Sequence, residues 1–226
     1  MRNYDEKAYI VKIDIQKFFY SIDRGILINI LRKKIRCEKT LSLLIKIIDS
    51  SPGELGLPLG NLTSQLLANI YLDQLDQFVK RRLGVKYYVR YADDVIMIVE
   101  NKQKAKELLK VVTEFLKEDL NLIAHPAKSR IQPLILGTES LGFKIFYTHI
   151  LLNRRTKNSI KRFLRNVPKY LRTDTFTVKE IESRLNTWLA HARHANSAEF
   201  IFSLTKKFNY LYIDHKNLLR ISAIYC

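Results

Sequence analysis

The chain has 226 residues, 47% of them hydrophobic, with only seven glycines and five prolines, enough for one large domain or a domain with a small appendage; the composition is globular, not disordered. No run of 18 apolar residues suggests a membrane span, Met1–Glu6 has no apolar signal core, and Cys37 and Cys226 are too few for a disulfide scaffold or Cys-rich zinc site, so a reduced cytoplasm is expected. The net charge of +17 is uneven, 24 Lys and Arg against 17 Asp and Glu in residues 1–150 but 15 against 5 in residues 151–226, which points to a polyanion, most simply nucleic acid, and to a basic C-terminal part.

In chain order, Tyr9–Ile15 is a strand run that ends on an acid, Asp14, followed by Phe18-Phe19-Tyr20 and Ser21-Ile22-Asp23. Apolar residues recur at helical spacing over Arg24–Lys39, beside Arg32-Lys33-Lys34-Arg36, and again over Leu41–Ile48, which Asp49-Ser50-Ser51-Pro52-Gly53 ends. A loop through Gly53, Gly56, Pro58 and Gly60 leads to a helix capped by Asn61, Thr63 or Ser64, with Leu66, Leu67, Ile70, Tyr71, Leu75 and Phe78 on one stripe. Lys80-Arg81-Arg82 suits the negative pole at its end.

Tyr87–Val99 holds two β-branched and aromatic runs that meet at Ala92-Asp93-Asp94, the pattern of a tight hairpin with strands mostly buried. Lys102–Leu120 is an amphipathic helix, and short strands are expected around Leu120–Ala124, Ser129–Ile135 and Leu141–Tyr147. Beyond Asn153 the pattern is helical and basic, with helices over Ile160–Leu171, Val178–Ala195 and Phe200–Tyr210. Strand, helices, hairpin, helix, strand is the order of a split βαβ sheet with helices on one face, an α+β fold.

The adjacent carboxylates Asp93 and Asp94 are compatible with an exposed turn, since Asp is a good turn residue. Asp14 weighs against that reading, because a second strand also delivers an acid at its end. Carboxylates from neighbouring strands can hold two Mg²⁺ ions about 3.5–4 Å apart, the arrangement that aligns attacking and leaving oxygens in phosphoryl transfer.

Asp14 with Phe19 resembles motif A of reverse transcriptases, Gly56-Leu57-Pro58-Leu59-Gly60-Asn61-Leu62-Thr63-Ser64-Gln65 resembles motif B, and Tyr91-Ala92-Asp93-Asp94 resembles motif C. Three motifs in the right order are specific, whereas Tyr-x-Asp-Asp alone is not. The Leu-Gly-Asn-Leu-Thr-Ser-Gln form of motif B is similar to the enzymes of diversity-generating retroelements; group II intron and retron enzymes more often carry Gln-Gly and Ser-Pro there. The resemblance implies a palm over residues 1–150 and a helical thumb over 151–226, acting as an RNA-directed DNA polymerase of prokaryotic or phage origin.

What the resemblance implies for single residues follows from the motifs. Asp14 and Asp93 would bind two Mg²⁺ ions, for which Mn²⁺ is the natural substitute, with the Ile15 carbonyl and Asp94 as further ligands. Phe19 matches the steric gate against a ribose 2′-hydroxyl, while Phe18 reads as core. Leu59, Gly60 and Gln65 would border the incoming nucleotide. Leu59 stands where many relatives place Gln, and losing that amide weakens discrimination by roughly 1–3 kcal/mol; the resemblance to the diversity-generating enzymes implies error-prone copying opposite template adenine, and the alternative is that Leu59 merely packs.

Lys128 matches the motif D lysine that protonates pyrophosphate, with a plain surface lysine as the alternative. Leu141-Gly142-Phe143 resembles the primer grip, with a simple hairpin turn as its rival. Leu185–Asn196 resembles the thumb helix of diversity-generating enzymes. His191 and His194 have a spacing that can bind zinc, but no acidic or Cys ligand stands near them in sequence, so they read as helix residues that pack or touch nucleic acid.

The implied partners are template RNA, a DNA or RNA primer, dNTPs and an accessory protein of the retroelement. Thirteen residues precede Asp14, where this family carries its fingers region, so a fragment, a mis-started frame or a chain completed by a separate fingers-bearing polypeptide is expected. The rival readings are a truncated, inactive remnant that still binds nucleic acid and a group II intron or retron type of reverse transcriptase.

Overall fold

The computed structural model describes residues 7–50, 52–214 and 216–222; Met1–Glu6 and Cys226, used above, lie outside them. Two compact units divide between Leu136 and Gly137.

The first unit runs β1 (Tyr9–Asp14), α1 (Phe18–Ser21), α2 (Arg24–Lys34), α3 (Glu38–Ile48) and α4 (Leu62–Gln77), which continues into one π-helical turn, Phe78–Arg82. There follow β2 (Tyr87–Tyr91), β3 (Asp94–Val99), α5 (Lys102–Leu120) and β4 (Arg130–Pro133). The strands form one antiparallel sheet in the order β2-β3-β1-β4, the split βαβ arrangement expected from the sequence.

Strand alternation gives the sheet two unlike faces. Val11, Ile13 and Ile15 of the β1 segment lie with Val95, Met97 and Val99 of β3 in the main core, together with Leu27 and Leu31 of α2, Leu67 and Leu75 of α4, and Leu108, Val112 and Leu116 of α5. On the other face Ala8, Ile10, Ile96, Ile98 and Leu134 make a smaller cluster with Tyr87 packed against it. Period two carries that second face on through Lys12 to Asp14 and from Ile96 back to Asp94. The acids therefore end an apolar row on the face away from the helices.

Several expected elements are corrected. The helix expected to reach Lys39 stops at Lys34, because Ile35 turns extended; the next begins at Glu38, before the expected Leu41. Leu120–Ala124 is not a strand: Asn121 leaves α5 with φ of 47°, and the segment gives only a bridge between Ala124 and Ile15. Asn61 holds the N-cap position of α4 but makes no side-chain cap bond; the buried Ser64 instead donates to the Pro58 carbonyl at 2.5 Å, pinning the preceding loop to the helix.

In the second unit the expected strand Leu141–Tyr147 is a turn and half of a hairpin. β5 (Thr138–Ser140), β6 (Phe143–Ile145) and β7 (Ile150–Leu152) pair in sequence order. The helices are α6 (Arg154–Arg172), α7 (Val178–Ala192) and α8 (Ala198–Lys207), and a two-stranded ribbon, β8 (Leu211–Ile213) and β9 (Leu219–Ile221), was not anticipated. The division at residue 137 precedes the expected boundary at 150, since β5–β7 pair among themselves and Leu152 and Phe143 join the core of Leu164, Ile181, Leu185 and Leu189.

Candidate active site

Asp14, the last residue of β1, lies opposite Asp94, the first of β3. His125 N–H donates to the Asp14 carbonyl at 2.7 Å and Gln16 N–H to the Ile123 carbonyl at 2.8 Å, so the backbone groups of residues 14 and 16 point toward 123–125. Asp14 and Asp94 are thus the close, non-hydrogen-bonded kind of antiparallel pair, whose side chains stand side by side. By the same alternation the Ile15 carbonyl points toward β3. The Ile15 side chain is buried, which leaves that carbonyl as its only means of serving the site.

Asp93 sits in the two-residue turn between Tyr91 and Asp94, themselves a cross-strand pair. Ala92, the other turn residue, has φ of 51°, a left-handed conformation that favours glycine. Burial first, and then the negative charges of Asp14 and Asp94, hold the Asp93 carboxyl above its ordinary range. The three acids sense one another.

Two lysines offset that repulsion. Lys12, diagonal to Asp94 on the same sheet face, brings its Nζ to 3.0 Å of the Asp94 carboxylate. Lys128 Nζ lies 3.0 and 3.3 Å from the Asp14 oxygens, at the end of the 125–128 turn. Lys12 was not singled out in the sequence, where its place inside an apolar strand was the available signal.

The loop of motif B folds back on motif A. Leu57 N–H donates to the Phe19 carbonyl at 2.9 Å and Gly56 N–H to the Ile22 carbonyl at 2.8 Å. A side chain at Gly56 (φ 82°) would be strained here, since a Cβ would lie 3.1 Å from the Phe19 and Tyr20 backbone and force it to give way. Phe19 is half-buried against the core with its ring 5.4 Å from that of the buried Phe18. Leu59, 55% exposed, stands with Gly60 and Gln65 on the open side of the loop and first turn of α4, so it is not a core residue.

Arg24 organises this loop and was missed in the sequence, where it looks like any residue of a basic helix face. It is 7% exposed; its Nε donates to the Gly56 carbonyl at 2.8 Å, Nη1 to Gly53 at 2.7 Å and Nη2 to Leu55 at 3.2 Å. Arg90, also missed, is half-buried between the sheet and α4; a charge inside a strand flanked by Tyr88 and Tyr91 was its signal.

Leu141, Gly142 and Phe143 belong to the second unit. Leu141 (φ 50°) and Gly142 (φ 86°) form the β5–β6 turn, and the Gly142 carbonyl accepts from Asn153 N–H at 3.0 Å and Thr156 Oγ1 at 2.9 Å. The Phe143 ring stacks on His191 at 4.3 Å, so His191 is a packing residue.

The donors near the acids are carboxylates and a carbonyl, hard oxygens that suit Mg²⁺ or Mn²⁺, and the mutual repulsion of three acids is what a divalent ion relieves. The chemistry of the set fits a metal. Among the described residues, however, no three His, Cys, Asp or Glu side chains stand in a ready metal-holding group; Asp94 and Asp14 are each paired with a lysine, Lys12 and Lys128.

A family profile described as reverse transcriptase (RNA-dependent DNA polymerase) matches residues 1–145, from before Asp14 to beyond the Leu141–Phe143 turn. The chain belongs to the reverse transcriptase family. Among curated reverse transcriptase relatives, the retron Ec73 reverse transcriptase of Escherichia coli is 29% identical over 226 residues, spanning 90% of this chain and 67% of that protein. A COX1/OXI3 intron 2 protein of Saccharomyces cerevisiae is 24% identical over 204 residues, spanning 62% of this chain and about a quarter, 24%, of that protein. In fold, the chain is similar to the telomerase of Candida albicans, solved with a fragment of telomeric RNA, with a TM-score of 0.51, 12% identity, and coverage of 90% of this chain and 40% of that one. The α+β polymerase palm follows from these likenesses, and retron and intron names among the relatives leave the diversity-generating subtype as a proposal.

Proposed function

We propose that this reverse transcriptase chain carries the palm and thumb of an RNA-directed DNA polymerase that extends a primer 3′-hydroxyl with dNTPs on an RNA template. The observation that carries the reading is the side-by-side Asp14–Asp94 pair with Asp93 in the adjoining turn. Asp14, Asp93, Asp94 and the Ile15 carbonyl are the residues that would hold Mg²⁺. When bound, the ions supply activation of the 3′-hydroxyl and neutralisation of triphosphate charge.

This chain's own residues do the rest. Lys12 and Lys128 offset part of the acids' charge and orient Asp94 and Asp14 before substrate arrives. Lys128, an ammonium at the edge of the site, is the group from which a proton passes to departing pyrophosphate. Phe19 excludes a ribose 2′-hydroxyl, and the loop fixed by Arg24 and Ser64 presents Leu59, Gly60 and Gln65 to the nucleotide. The exposed cations of α6, Arg155, Arg162 and Arg165 among them, grip template–primer phosphates, with the Leu141–Phe143 turn at the primer end. Cytoplasmic placement belongs to this reading; among the described residues no helix is long and apolar enough to cross a membrane.

A retron-type enzyme is the second reading, favoured by the Escherichia coli relative, whereas the Asn61–Gln65 motif favours a diversity-generating one. The test of polymerase function is Mg²⁺-dependent dNTP incorporation by the full chain on an RNA template with a DNA primer, with a fingers-bearing polypeptide added in parallel. Asp14→Asn and Asp93→Asn should each reduce incorporation to background. Unchanged activity in Asp93→Asn would reject the assignment.

A further inference from the structure

The geometry points to Arg90 and Asp76 as a positioning pair that locks the Ala92–Asp93 turn onto α4, so that the acids keep their arrangement through a contact made behind the sheet. This rests on the polymerase reading above and extends it to residues that touch neither substrate nor metal.

Arg90 lies on β2 in phase with Tyr88, and both side chains reach the helix side, while Val89 and Tyr91 are exposed on the opposite face. Its guanidinium uses every nitrogen. Nε meets Asp76 Oδ1 at 2.8 Å and Nη2 meets Oδ2 at 2.6 Å, the two-pronged fork that fixes both distance and plane. Nη1 donates to Asn69 Oδ1 at 2.9 Å and to the Ala92 carbonyl at 3.1 Å. Tyr88 Oη donates to the same Asp76 oxygen that Nε meets.

Asn69 and Asp76 are both on α4, two turns apart, and so share one helix face. One side chain thus joins the helix that Ser64 ties to the motif B loop with the carbonyl of the residue before Asp93. Ala92 needs such a hold. Its left-handed backbone is strained for a residue with a Cβ and persists only where its surroundings over-determine it. Lysine in place of Arg90 keeps the charge but offers a point donor, unable to span Asp76, Asn69 and Ala92 together.

The experiment compares the full chain with Arg90→Lys and Asp76→Asn, using Asn69→Ala, a surface change, should either fail to fold. The control is Asp73→Asn on the same helix, which removes the exposed 2.8 Å ion pair with Lys34 and leaves an amide oxygen to accept from Gln77. Three quantities are read: kcat and KM for dNTP, Mn²⁺ affinity from the electron paramagnetic resonance of the free ion, and amide hydrogen exchange at Ala92–Asp94. The expected result for the pair is a kcat loss of roughly 10- to 100-fold with KM little changed, weaker Mn²⁺ binding and faster exchange in the turn, while Asp73→Asn alters none of these.

Unchanged turn exchange and Mn²⁺ affinity in Arg90→Lys would overturn the inference, even with kcat reduced, because the turn would not have loosened. Equal effects from Asp73→Asn would overturn it too, as general softening of α4. Asp93→Asn separates the two proposals: if it stays active the polymerase reading fails, whereas turn exchange in Arg90→Lys still decides the fate of the pair.

Discussion

Arg24→Met removes a guanidinium while keeping most of an aliphatic stem, so it isolates the hold that α2 has on the motif B loop. Arg24 serves two carbonyls at under 3 Å, Gly56 at 2.8 Å and Gly53 at 2.7 Å. Gly56 is buried, and an acceptor left unpaired there costs about 1–3 kcal/mol; Gly53 is exposed, and water replaces most of its bond. Taking a buried charge out of the protein returns part of its desolvation cost, which leaves a net loss of about 2 kcal/mol. For a chain of this size that lowers the melting temperature by roughly 4–8 °C, read by circular dichroism on the full chain. Because the loop carries Leu59 and Gly60, KM for dNTP should rise in the same variant. A melting curve superimposable on the parent's would refute the reasoning, since the loop would then hold its shape without Arg24.

Asp93→Asn should raise thermal stability at neutral pH while abolishing incorporation. The folded carboxyl titrates above its unfolded value of about 3.9, so the protonated form is favoured by folding and that advantage is lost as pH rises through the raised value. The gap in melting temperature between Asp93→Asn and parent should accordingly be smallest in acid and reach a plateau near neutrality; a gap independent of pH would show that neither burial nor the neighbouring acids raise the Asp93 carboxyl. Leu59→Gln should lower misincorporation opposite template adenine more than opposite other bases, by about five-fold if a 1 kcal/mol contact is restored. Sequencing the cDNA of both forms reads this, and identical error spectra would mean that the exposed Leu59 side chain does not meet the nucleotide.

The palm was legible because its signals are local and periodic. Tyr9–Asp14 and Tyr87–Val99 announce themselves by β-branched and aromatic runs, and Lys102–Leu120 by its apolar stripe, so the strands, the hairpin and the helix were expected, whereas the pairing of Asp14 with Asp94 came only with the strand register. What could not be read was long-range. Arg24 looks like one more cation on a basic surface, and only folding brings it to carbonyls 29 and 32 residues away; Lys128 was legible through its resemblance to motif D, but its ion pair with Asp14, 114 residues away, was not. The 120–124 error has the same origin: Leu122 and Ile123 carry strand-like side chains, but the left-handed Asn121 and the turn at His125 leave room for a single bridge. The terminal ribbon was overlooked because Leu211–Ile213 and Leu219–Ile221 are three residues each, too short for a period to register.

Gly142 also fixes how this chain can diverge. A Cβ at that position would come within 2.9 Å of both His191 Nε2 and Thr156 Oγ1, and the φ of 86° is itself unfavourable for any other residue. Thr156 meanwhile donates to the Gly142 carbonyl, and His191 stacks on the neighbouring Phe143. Three positions separate in sequence are therefore coupled: a lineage that trades the glycine must shift both neighbouring side chains and rebuild the turn together. Drift at 142, 156 and 191 should be correlated, so that related sequences either keep the trio or replace it whole.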